Sequence, residues 1–482
     1  MYSFFKNFVE QSSCPSSGIC TTDLRLTSLE ELLLHELRHV CFFYVKIKEN
    51  GFDDTQIAAE TIEALAVSML NMNYNEQDYY RLYDKIFENK IKLHEIYNTH
   101  KDEMFFDIPL GEKLGHSIVD MIREGEKIIR ARQKSIADEK KGLFSLVQIL
   151  TRNASRTIVR TKDLNPDFRE FDFEVIRLFS LTLFPLTREE KLVRRIREFL
   201  DISNEAMARH FDAIVNKYGK PQSTKLRMTA KKGKAILVDG LDAGELETIL
   251  NTIGDRPVNV YTHSSLFLAH HFPWFNEHKN LVGQWGTPNF EYDFSTFPGA
   301  VFLTKTFYQK IDAICRGVLF STGQINIKGV TRLENNDFEP LVQAALAHDG
   351  FLADEEEIFE ELNYNEEEIK KTLQETTAKN ITVLIGQHDG LKGCEVLGTS
   401  QIIHIGSPLE ITLLYTIASI ASFKNLNIRF FFTYCSEYMV CEALGLKHNF
   451  KDSSVYISRC PTLTINPRIT KTLEDDFDIQ VI

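Results

Sequence analysis

The chain has 482 residues, 43% of them hydrophobic and 26% charged, which is enough for several domains with real cores. Its formal net charge of −13 argues against nucleic acid as a bulk partner, because binding phosphates needs a positive face. No apolar run approaches the roughly 18 to 20 residues of a membrane-spanning helix. The N-terminal stretch lacks the basic and apolar regions of a secretory signal, so the expected location is cytoplasmic and no membrane partner is expected.

From residue 29 to 219, apolar residues recur at three and four. This period predicts helices over 29–47, 54–72, 75–100, 110–132, 141–150, 173–184, 187–200 and 203–218. Asp53 and Asp54 read as an N-terminal cap, and Thr187 with Glu190 as a capping box. Short links between long amphipathic helices imply antiparallel bundles. At Gly233 the pattern changes. A strand over 235–238, the turn Asp239-Gly240, a helix over 243–251 and a strand over 258–261 form a β-α-β unit, and a further strand follows at 300–304. The pattern returns with a helix over 369–379, a strand over 381–385, a strand over 401–405, a helix over 409–423 and a strand over 428–432. The fold class is therefore multidomain, α and α/β. An N-terminal helical bundle domain over 1–228 precedes two Rossmann-like parallel-sheet domains, over 229–375 and, shortened, over 376–482.

Two charge runs stand out. The basic run 225–234 reads as a solvated linker. The run 354–368 holds eight glutamates and reads as an exposed helix-loop-helix surface, or as a docking face for a basic partner. Eight cysteines without Cys-x-x-Cys spacing specify neither a disulfide framework nor a zinc ribbon. His263, His270 and His271 make a metal trio only if the fold gathers them, and hydrogen-bonded core histidines are the plainer reading. His388, in the glycine turn Gly386-Gln387-His388-Asp389-Gly390 at a strand end, is the sharper candidate for a ligand or general base. His263, His270 and His388 are thus the cleft candidates. The turn lacks G-x-G-x-x-G spacing, and no nucleophile elbow, H-E-x-x-H or P-loop occurs. Cys394 reads as a loop thiol with nothing near it to lower its pKa.

Several ordered motifs carry a resemblance. They are Val260-Tyr261-Thr262-His263, Ala269-His270-His271-Phe272-Pro273, Leu281-Val282-Gly283, Phe297-Pro298-Gly299-Ala300, Gly329-Val330 through Asn336-Asp337-Phe338, and Cys460-Pro461-Thr462-Leu463. Together they resemble the hybrid cluster proteins, also called prismane proteins or hydroxylamine reductases, over nearly the whole chain. The resemblance implies a prismane-like fold, an N-terminal cubane cluster, a deeper iron–sulfur–oxygen hybrid cluster, and reduction of hydroxylamine or nitric oxide.

Carried over residue by residue, it also implies that most ligands are gone. A cubane needs four thiolates. Only Cys14 and Cys20 resemble part of that set, a vestigial pair, with Cys41 about one helix further on. The hybrid-cluster histidine position resembles Leu241, and the glutamate position resembles Ser265, 24 residues later. The cysteine positions resemble Phe307, His388 and Pro408, with one more falling in a missing segment. The late glutamate and lysine resemble Glu437 and Met439. Leu, Phe, Pro and Met offer iron no anionic or nitrogen donor, and two donors, His388 and Glu437, do not retain a multinuclear cluster. The expectation is a chain with no catalytic residues, no metal and no cofactor. It would serve as a structural or regulatory scaffold for a protein partner; the alternative is a hydroxylamine reductase with a remodelled metal site.

Overall fold

The structure is a computed structural model. It describes residues 24–70, 73–99, 108–286, 290–305, 318–362, 366–378, 380–385, 401–405, 414, 417–420, 422, 426–432, 437–457 and 467–481.

The helical part comprises α1 (Leu24–Glu49), α2 (Thr55–Ala66), α3 (Glu76–Thr99), α4 (Ile118–Ser135), α5 (Asp138–Leu164), α6 (Asp172–Ser180) and α7 (Glu189–Tyr218). Asp54 caps α2 as expected, accepting from the backbone N–H groups of Gln56 and Ile57. Five expectations need correction. The helix expected over 54–72 ends at Ala66, and the one expected over 110–132 starts only at Ile118. The helix expected over 141–150 runs to Leu164, and the two helices expected over 187–218 are one, α7. The capping box is not made: the Thr187 hydroxyl donates to the Leu181 and Phe184 carbonyls, and α7 starts at Glu189 without a side-chain cap. Because α7 begins at Glu189, its N-cap falls on Arg188 and Thr187 stands one residue too early to cap it.

The first α/β unit follows the short strand β1 (Thr224–Arg227). It holds β2 (Lys234–Asp239), α8 (Ala243–Ile253), β3 (Val258–His263), α9 (Pro273–Asn276), β4 (Leu281–Gln284), α10 (Phe290–Thr296), β5 (Ala300–Leu303), β6 (Leu319–Ser321), β7 (Thr331–Arg332) and α11 (Glu339–Ala347). All pairings in its sheet are parallel, in the order β4-β3-β2-β5-β6-β7. Strands β2 and β5 are buried almost end to end, as a parallel sheet covered on both faces requires. After β8 (Phe359–Leu362) and α12 (Glu366–Glu375) comes the second sheet. Its strands are β9 (Asn380–Ile385), β10 (Gln401–Ile405), β11 (Asn427–Phe432), β12 (Ser454–Ile457) and β13 (Ile479–Val481), ordered β10-β9-β11-β12-β13 and parallel throughout. Helices α13 (Glu437–Asn449) and α14 (Pro467–Phe477) accompany it.

The two charge runs meet each other. Strand β1 pairs antiparallel with β8, so the basic run is not a free linker and 359–362 is strand, not helix. Asp354 accepts from the Lys232 N–H at 2.8 Å, Glu355 from the Ala230 N–H at 2.7 Å, and Glu357 pairs with Arg227 at 2.7 Å. Backbone N–H groups of the basic run therefore engage two of the acids, and the Arg227 side chain a third.

The second sheet shares one continuous apolar core with the helices: Val383, Ile385, Phe430, Phe432 and Leu444 pack in the same cluster as Leu143, Val147 and Leu150 of α5. Helix α14 closes on α5 at Gly142, where a side-chain Cβ would overlap Thr472 Oγ1 and the Arg468 carbonyl. Gly142→Leu is expected to destabilise the chain by about 1–3 kcal/mol, read as a lower urea midpoint with an unchanged slope.

Candidate functional site at the carboxyl edge of the first sheet

In a doubly wound sheet the chemistry gathers where the strand order reverses, outside the carboxyl ends of the strands. In the first sheet that point lies between β2 and β5, because β2, β3 and β4 step one way and β5, β6 and β7 the other. Asp239 ends β2 there, paired with His263 of β3 on one side and Leu303 of β5 on the other. Gly240 then turns with φ of +134°, and a Cβ at this position would overlap Thr304 Oγ1. Thr304 N–H donates to the Asp239 carbonyl at 2.9 Å, and the Leu241 N–H donates to Thr304 Oγ1 at 3.3 Å. The turn is thereby tied to β5. Leu241, the position that resembles a histidine ligand, is half-buried and presents an apolar side chain.

His263 is 1% exposed and stands between two aspartates. Its Nε2 donates to Asp293 Oδ2 at 3.0 Å, and its Nδ1 faces Asp239 Oδ2 at 3.5 Å, an ion-pair distance rather than a hydrogen bond. Burial works against its charge, but Asp239 and Asp293 outweigh that and hold its pKa up at about 9. Gly286, with φ of +109°, lays its backbone against the imidazole so closely that no Cβ would fit. The ring is charged, hydrogen-bonded through Nε2, flanked by a second carboxylate at Nδ1, and covered.

The other two histidines have separate partners. Thr262 donates its hydroxyl proton to Gln284 Oε1 at 2.9 Å, so it accepts from His270 Nε2 at 3.1 Å. Burial, with His271 adjacent, takes the His270 pKa down to about 3. His271 Nδ1 donates to the Gln222 carbonyl at 2.9 Å. The structure therefore does not bring the three imidazoles together on one metal. Among the described residues, no three His, Cys, Asp or Glu side chains form a possible metal site.

A second charge cluster, which the sequence did not reveal, lies on the β5 side. Glu245, buried in the first turn of α8, accepts from the Lys305 N–H at 2.8 Å and from the Thr322 hydroxyl. Lys305 Nζ pairs with Asp163 near the end of α5, which joins the helical part to the sheet. Burial first, then Asp242, raises the Glu245 pKa to about 8. Burial raises that of Asp163 to about 6, with Lys305 pulling the other way and Asp242 adding to the rise. One ammonium thus serves several carboxyls, and Glu245 keeps a proton near neutrality. Beside this cluster the described residues Thr304, Lys305, Ser321, Gln324 and Asn326 line a cavity of about 40 Å³. That is room for a few waters at roughly 10–15 Å³ each. No short-range signal marks this cluster, because its members are 60 and 142 residues apart.

The remaining implied positions divide as follows. Ser265 falls in a 3-10 turn over Ser264–His271, and Glu437 starts α13. Met439 is fully buried in apolar packing with Val440 and Leu444, and Cys41 is fully buried in α1, where burial pushes its thiol far up. Cys14, Cys20, Phe307, His388, Cys394 and Pro408 lie outside the described residues. In the second sheet the order reverses between β9 and β11, and the His388 turn follows directly on β9 in the chain.

The two proton-holding groups make stability depend on pH in one direction. Glu245 rises from 4.5 to about 8 and His263 from 6.5 to about 9, so the folded chain binds more protons than the unfolded one across both windows. Each contribution is complete below the unfolded value and is lost as pH rises through the folded one. Glu245→Gln is expected to flatten the fall of the urea midpoint between pH 4.5 and 8, and His263→Gln the fall between pH 6.5 and 9. Unchanged slopes in both variants would refute this assignment of charge.

A hydroxylamine reductase of Acidiphilium cryptum is 24% identical over 351 residues, covering 70% of this chain and 62% of that protein. One from Syntrophobacter fumaroxidans is 26% identical over 353 residues, covering 70% and 63%. The chain thus spans less than two thirds of the length of these relatives. A solved α subunit of acetyl-CoA synthase/carbon monoxide dehydrogenase overlays with a TM-score of 0.46 at 10% identity, over 99% of this chain and 85% of that one. The family model for the Prismane/CO dehydrogenase family matches residues 9–432, and the chain belongs to that family.

Proposed function

We propose that this chain is a cluster-free, catalytically inactive member of the family, acting in the cytoplasm as a structural or regulatory subunit for a protein partner. The observation that carries this reading is the state of the first sheet's carboxyl edge. Where a metal centre would need open donors, the described residues supply Leu241, a covered His263 already bound by two carboxylates, and a cluster of acids neutralised by Lys305. The adjoining cavity of about 40 Å³ has room for a few waters. Met439, another described position that resembles a ligand, packs as core. These residues do not fit an iron–sulfur–oxygen cluster, and no chemical step is assigned to one. The exposed Leu352, Ile358 and Phe359, next to Glu356 and Glu361, are the surface we assign to the partner.

A second reading, an oxidoreductase of the hydroxylamine reductase type with a remodelled metal site, is favoured by the names of the relatives and by the donors His388 and Glu437. Anaerobic purification followed by visible absorption, iron and acid-labile sulfide analysis separates the two. A colourless protein with iron and sulfide at background is expected; a brown protein with several irons per chain would sink the cluster-free reading. Native fractionation of cell extract should then find the chain in a particle larger than a monomer, and recovery only as a lone monomer would count against the subunit role.

A further inference from the structure

Where α1, α2 and α3 meet the loop between β6 and β7, the described residues line a cleft of about 290 Å³. Its floor is apolar, with Leu37, Val40, Leu82 and Ile86 all buried. Its rim is charged, and the charges are unevenly shared. Glu60 of α2 is matched by Lys85 at 2.9 Å. The buried Asp78 of α3 holds two guanidiniums, the exposed Arg81 at 3.1 Å and Arg332 of β7 at 3.0 Å; Arg332 also faces the exposed Glu334 at 3.8 Å. Glu63, half-buried on α2, is matched by no cation. Its Oε2 accepts from Gln324 Nε2 at 2.8 Å, and among the described residues no basic side chain lies within ion-pair distance of it. Burial raises its pKa, and Lys162 and Lys305, which draw it down from further off, are already paired with Asp172 and Asp163.

The cleft therefore has a negative end at Glu63 and a positive end where two guanidiniums share one buried carboxylate. Gln324 sets the spacing between them. Its side-chain amide donates to Glu63 and its backbone carbonyl accepts from Arg332, so the two ends stand about one residue's length apart. Water fills such a cleft but brings no positive charge to Glu63. A small zwitterion meets both ends at once, because a guanidinium fork matches a carboxylate and an ammonium matches a lone acid. The volume lies just below the roughly 300–1,000 Å³ of sites for drug-sized ligands, which suits a molecule of that size. We propose that this cleft binds a free amino acid, its ammonium on Glu63, its carboxylate on Arg81 and Arg332, and its side chain over the apolar floor. The site is independent of whether the chain carries a cluster.

The test follows the urea midpoint of the full chain with the common protein amino acids added one at a time at constant ionic strength. At least one is expected to raise the midpoint saturably. Its N-acetyl and methyl-ester forms, each missing one charge, should bind at least about tenfold more weakly. Glu63→Gln removes the acid while keeping its shape, and Arg81→Gln removes the exposed guanidinium; each should weaken the apparent affinity at least about tenfold as well. No rise with any amino acid would mean that water alone fills the cleft, and equal binding of either blocked form would mean that the two charged ends do not act together; either overturns the proposal. Full affinity in Glu63→Gln overturns it too. If that variant does not fold, Arg81→Gln decides in the same way, since the Arg81 side chain is 65% exposed and its removal leaves Asp78 paired with Arg332.

Discussion

Everything in this molecule leans on one buried helix, α5, and on the cost of taking charged side chains off water. A helix that is buried on most sides must meet every polar group it carries. Along α5, Gly142 admits α14, and Arg152 donates to Ser68 Oγ at 2.9 Å. Arg156 donates to the carbonyl of Ala66, the last residue of α2, at 3.2 Å, and Asp163 holds Lys305 of the first sheet. The helical part, the first sheet and the second sheet are each fastened to a different stretch of it. The stretch facing α13, with Asn153 and Arg160, carries polar groups that the described protein atoms do not meet.

The carboxyl edge of the first sheet obeys the same constraint in another way. Strand β2 ends in Asp239 with neighbours on both sides, so its carboxylate has no path to bulk water. A cation must come to it, and His263 does, one strand over in register. The register of a parallel sheet thus decides which residues can neutralise each other. On the β5 side the same logic brings Lys305 to Asp163 and Glu245, though one ammonium among three carboxyls leaves Glu245 to keep its proton. An edge stabilised by such pairs is also hard to reopen, since removing one partner strands a buried charge.

Much of the fold was legible because continuous β-branched and aromatic runs bounded by glycine, such as 235–238 and 428–432, leave few alternatives. Helix α5 was cut short at residue 150 for the opposite reason. Its second half, from Thr151 to Leu164, buries Arg152, Asn153, Ser155, Arg156, Thr157 and Arg160, and a polar stripe has no apolar period to read. The acidic run over 354–368 reads as an exposed helix-loop-helix surface, yet pairing with β1 makes part of it a strand. At the site, Leu241 and Met439 could be read as positions without donors from the sequence alone. The Glu245, Lys305 and Asp163 cluster could not, since only the closure of the sheet against α5 assembles it.

Losing a large cofactor leaves a family member with a physical problem, because its site was shaped as a void lined by polar groups. On the cluster-free reading proposed above, Leu241 and Met439 are apolar fillings of part of that void. Polar groups contributed by other elements do not vanish with the ligands; they need new partners or a new occupant. His263 has found partners in Asp239 and Asp293, and Glu245 in Lys305 and Thr322. Asn153 Oδ1 and Nδ2, Arg160 Nε and Glu442 Oε2 have no hydrogen-bond partner among the described residues, although Arg160 and Glu442 act on each other as opposite charges. Neutralising a charge and satisfying its hydrogen bonds are thus separate demands, and this fold meets the first more fully than the second.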